Sequence, residues 1–154
     1  MGLILKLAPE FHLELGDDKS VALPAIAVVP TSENMPHIKK FEVEVAGRSA
    51  PPGHENDVDR IAAKLALAYP KLEYRPGKEV ALRQQMAVPI SRVVLDGPIP
   101  TGARFALTAQ VWYYDSDAQG RPNAGAGVKG PVQAFGVHQG GLEHRHMQAL
   151  VEPP

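Results

Sequence analysis

Residues 103–114 alternate without a break. Phe105, Leu107, Ala109, Val111 and Tyr113 form one set, and Arg104, Ala106, Thr108, Gln110, Trp112 and Tyr114 form the other. Successive side chains of a strand point to opposite faces, so this pattern demands a long β-strand with one apolar face. The second set also carries aromatics, Trp112 and Tyr114. A strand with aromatics on both faces is expected either to lie centrally in its sheet or to present one face to a partner. Residues 38–45 repeat the signal, with Phe41, Val43 and Val45 opposed to Lys40, Glu42 and Glu44. Residues 132–137 form a candidate strand to pair with 103–114.

Proline and glycine set the rest of the pattern. The chain holds 15 and 14 of them in 154 residues, scattered as punctuation rather than as a repeat. They leave room for one helix. Val58, Ile61, Leu65 and Ala68 fall on one helical face, Asn56 or Asp57 can cap its start, and Pro70 ends it. Elsewhere the reading is extended: Leu3 to Leu7, Phe11 to Leu15, Val21 to Val29 broken at Pro24, and Leu72 to Tyr74. Val80 to Val94 reads as one strand bent at Pro89, or as a helical turn followed by a strand. The expected fold is therefore mainly β, a β-sandwich or small barrel, with one α-helix near residues 57–69 and an extended Gly/Pro-rich C-terminal tail. The boundaries read from composition are a β-rich core with one helix at 1–114 and a tail or arm at 115–154, with 132–137 as a possible hairpin strand within it.

Composition excludes several classes. The hydrophobic fraction is 44% and the formal net charge is −1, so the chain is neither disordered by composition nor basic enough to suggest nucleic acid. The opening LIL…GDD…V resembles the start of the small RNA-binding carbon storage regulators, but of the basic residues such a hairpin implies only Lys6 and Lys19 are present. Cysteine is absent, which excludes disulfides and thiolate chemistry. The start lacks the pattern of a secretory signal, and no apolar run is long enough to span a bilayer. The expected setting is the cytoplasm, or a virion assembled there.

Three motifs could carry chemistry. Asp115, Asp117, Gln119 and Gly120 imitate the first half of a calcium loop, but position twelve is Ala126 where the chemistry needs a bidentate Glu, so a hairpin turn is the better reading. Gly125, Gly127 and Gly130 spell G-x-G-x-x-G around Lys129, yet no helix follows to cradle a phosphate, which favours a loop or partner contact. His144 and His146, with Glu143 beside them, would share one face of a strand, but two ligands fall short of a coordination shell. His144, His146, Asp115 and Asp117 are thus metal candidates and no more, and no cofactor is expected. No serine sits in a nucleophile elbow, and Glu14, Glu42 and Glu44 lie on predicted solvent faces.

What remains is an assembly reading: a non-enzymatic structural protein, of the kind that decorates or joins a phage-type capsid or tail, bound to neighbouring protein subunits, copies of itself or of a shell or tail protein. The contact residues expected are Trp112, Tyr114, Gly125, Gly127, Val132, Phe135, Gly140 and Gly141. The alternatives are a cupin-like metal-binding barrel using His144 and His146, and a nucleic-acid-binding regulatory module.

Overall fold

A computed structural model describes residues 2–31 and 35–138. In chain order the strands are β1 (Leu3–Lys6), β2 (Glu10–Phe11), β3 (Ser20–Val21), β4 (Ala27–Pro30) and β5 (His37–Ser49). The helix α1 (Glu55–Leu67) follows, and then β6 (Leu72–Glu73), β7 (Val80–Ala81), β8 (Met86–Ala87), β9 (Val93–Val94), β10 (Arg104–Tyr114) and β11 (Lys129–His138). The described residues are mainly β, with one α-helix and several sheets, as the sequence pattern leads one to expect.

The largest sheet runs β2-β11-β10-β5-β6, with β7 also paired to β5. Its three long strands are antiparallel. β10 is central, and its alternation translates directly into burial: Phe105, Leu107, Ala109, Val111 and Tyr113 are buried, and the intervening residues are not. A bulge in β5 at Lys39 places Ile38 opposite Tyr113 and Phe41 opposite Val111, keeping both on the inner face. Over that inner face pack α1 and a three-stranded sheet of order β1-β4-β8. Val58, Ile61, Ala62 and Leu65 are the buried stripe of α1. Val58 sits against β5 because Gly47 has no side chain, since a Cβ there would lie 2.4 Å from Val58 Cγ1.

Several local expectations are corrected. The helix starts two residues before 57, with His54 at its N-cap position making no side-chain capping bond. Instead His54 Nδ1 meets Asp57 Oδ2 at 3.0 Å. That bond, followed by the charge of Arg60, holds the Asp57 carboxyl below its ordinary value. The stretch 21–29 is not one strand. Its two ends join different sheets, and Pro24 between them offers its carbonyl to the Tyr69 hydroxyl at 2.9 Å. The stretch 80–94 supplies three two-residue strands, each to a different sheet. The hairpin strand expected at 132–137 runs from Lys129 to His138 and is an inner strand of the largest sheet. Among the described residues, no helix is long and apolar enough to cross a membrane.

Candidate functional site

The face of the large sheet turned away from α1 is built by the second set of β10. Ala106 lies between Ala46 of β5 and Val137 of β11, Thr108 between Glu44 and Phe135, and Gln110 between Glu42 and Gln133. Trp112 pairs with Lys40. The Lys40 ammonium stands 4.8 Å from the centre of the Trp112 ring and 3.8 Å from Glu42, so the ring is framed by a cation–π contact and an ion pair. The face therefore carries Phe135 and Val137 beside Gln133 along β11, Trp112 on β10, and acidic Glu42 and Glu44 along β5. Phe135 is its most exposed aromatic, 59% accessible. Phe135 shares this face with Trp112, and aromatic side chains are enriched in protein contacts.

The contact residues expected from sequence are not all on this face. Trp112 and Phe135 are, and Tyr114 follows Trp112 in the same set, paired with His37. Val132 points the other way and packs against the core. It lies three residues from Phe135, an odd spacing that puts the two on opposite faces of one strand. Gly125 and Gly127 lie in or beside an exposed 3-10 turn, Ala124–Ala126, in the β10–β11 connection. Gly127 has φ +84°, which suits glycine. The strand β11 follows that connection where phosphate cradling would need a helix. Gly140, Gly141, His144 and His146 lie outside the described residues.

At the end of the sheet, the β10–β11 connection is pinned by a polar cluster. Asp117 Oδ1 accepts from the N–H groups of Gln119 and Arg121 at 2.9 and 2.8 Å, the geometry of a tight Asx turn. The bond from Arg121, with that from Gln119, holds its carboxyl below the usual range. Asp115 meets Lys129 at 3.5 Å. Both aspartates are thus engaged within their own hairpin, and among the described residues no three His, Asp or Glu side chains cluster to hold a metal.

Sequence reading missed one pair. Ser116 Oγ donates to the Met35 carbonyl at 2.6 Å and lies 2.9 Å from His37 Nε2. Its single proton is committed to the carbonyl, so the imidazole is the donor to the hydroxyl. That polarity is the reverse of a nucleophile activated by a base. The pair clamps the connection to the start of β5, with His37 only 4% exposed. Replacing Ser116 by alanine leaves the His37 N–H without this acceptor and is expected to lower stability by about 1–2 kcal/mol, read as a shift in denaturant midpoint. These partners are 79 residues apart in sequence, which no local motif could announce.

A groove of about 410 Å³ at the Lys6–Ala27 end of the β1–β4 pair is lined by Leu5, Lys6, Leu7, Ala8, Ala25 and Ala27. Its lining offers one charge and no acid–base pair. Compared with known protein families, curated proteins and solved structures, the chain matches none.

Proposed function

We propose that the chain is a structural subunit of a larger protein assembly, of the type that decorates or joins the shell or tail of a phage-like particle, and that copies of it contact one another through the outer face of the large sheet. The observation supporting this reading is the exposed Phe135 beside the Trp112–Lys40–Glu42 group on a face that neither α1 nor the β1-β4-β8 sheet covers. Aromatic anchors beside charged residues are the usual energetic centre of protein contacts. The loop-bound glycines Gly125 and Gly127 lie at one end of that face and supply backbone that can conform to a neighbour.

Mass in solution by light scattering tests the reading across a wide concentration range. The wild-type chain is expected to exceed monomer mass as concentration rises, and the double substitution Trp112→Ala, Phe135→Ser is expected to remain monomeric. Phe135→Ser alone should leave stability within about 0.5 kcal/mol, because its ring is largely solvated in the monomer. A wild-type chain that is monomeric throughout would overturn self-association through this face.

A further inference from the structure

His138 ends β11 and is the most buried polar residue described, 1% exposed. Its ring is enclosed by Phe105 at 5.9 Å, Phe11 at 6.2 Å and, edge-on, His12 at 6.2 Å between ring centres. Nδ1 accepts the Leu13 N–H at 2.9 Å, so the neutral ring carries its proton on Nε2. The backbone pairing around this bond is slight, and the segment is otherwise held by the buried side chains of Phe11 and Leu13. β2 pairs with β11 through two residue pairs, Glu10–Val137 and Phe11–His138. One further bond, Val137 N–H to the Pro9 carbonyl at 3.0 Å, precedes them. The segment from Pro9 to Leu13 is therefore a strap across the edge of the large sheet, fastened at its far end by an imidazole nitrogen.

We propose that His138 is a pH-operated latch: protonation at Nδ1 releases the strap Pro9–Leu13 and bares the edge of β11 beside Phe135. A proton on Nδ1 would set two donors, Nδ1–H and Leu13 N–H, against each other, and would put a cation into an aromatic enclosure. The charge-bearing residues on the surrounding elements are Glu10, His12 and Glu14 on the strap and Arg104 at the start of β10, all exposed to solvent. Of these, His12 faces the ring. Burial first, and the positive charge of His12 second, hold the His138 imidazole below its ordinary value, against a smaller opposing effect from a backbone hydrogen bond with Phe11. The sign follows. The closed strap excludes the proton that the open strap accepts at an ordinary histidine value of about 6.5. The contribution of the latch is complete above that value and is lost as pH falls through it toward the lower value of the closed state. A bared edge offers the N–H and C=O groups at Val137 and His138 for strand addition, so acid would lengthen the part of β11 open to a joining strand. The latch does not depend on the assembly reading.

Amide exchange resolved by NMR tests it on the full chain. Protection of the Leu13 and Val137 amides, corrected for intrinsic exchange, is expected to fall by about tenfold or more between about pH 7.5 and about pH 5. Protection of Ala109 and Val111 in β10 should hold. His138→Gln should give a strap whose protection is flat over that range, and His12→Gln should keep the fall but move its midpoint upward. An equal fall in His138→Gln would overturn the latch, as would unchanged strap protection in the wild type. If His138→Gln does not fold, the wild-type ring decides: a His138 imidazole titrating at or above the ordinary histidine value overturns the proposal.

Discussion

Phe105→Ala is expected to cost about 3–5 kcal/mol of folding stability, the range for removing a large ring from a close-packed core. Phe105 has no solvent exposure and sits at the start of β10, opposite Gly47 on one side and His138 on the other. The large sheet, the helix packed on it and the strap at its edge therefore meet near one side chain. Gly47 is the position against which Val58 of α1 packs, and His138 is the residue that fastens the strap. Truncation would leave a void between groups that are each held in place from elsewhere, so collapse into it is limited and the cavity contribution stays high. Against a total of about 5–15 kcal/mol for a domain of this kind, the loss is a large fraction. Urea unfolding followed by Trp112 fluorescence reads it as a lower midpoint at unchanged slope. A loss below about 1 kcal/mol would mean that the ring is not at the meeting point of these elements.

What the sequence revealed, and what it hid, divides by the range of the interactions. β10 and the stretch 38–45 of β5 were legible because each is a long period-2 pattern with one face buried, and α1 because Val58, Ile61 and Leu65 keep helical spacing. The two-residue strands β7, β8 and β9 were not, because each is defined by its partner in a different sheet and owes nothing to its own pattern. β11 was only half legible. Gly130, Pro131 and Gly136 interrupt its pattern and give it the look of a tail, yet Gly136 is where residues 7–8 pass close over the strand. Of the candidate site, Trp112 was readable from parity alone. That Phe135 joins it and Val132 does not required only the odd spacing between those two, a signal present in the sequence. His138 carries no local signal, because its burial among Phe11, Phe105 and His12 depends on a pairing across more than a hundred residues.

Gly136→Val is expected to destabilise by about 3 kcal/mol, the upper end of the usual cost of overpacking. A Cβ at this position would stand 2.8 Å from the Ala8 carbonyl oxygen and 3.3 Å from the Leu7 side chain. The nearest atom is backbone, and that backbone is held on both sides: Lys6 pairs with Ala27 before it, and Pro9 accepts from Val137 after it. The segment can give way only by breaking one of those attachments. The weaker is the strap, which has two residue pairs where β1 has four with β4. The substitution should therefore unfasten Glu10–Leu13 before it disturbs β10, so amide protection on the strap falls at any pH while the denaturant midpoint drops. Gly97→Ala is the matched control, since Gly97 has open space around its missing Cβ and no positive φ. There alanine should be neutral or stabilising by up to about 1 kcal/mol, through the lower entropy of the unfolded chain. If the two substitutions behaved alike, the close passage of residues 7–8 over β11 would not be what requires glycine at 136.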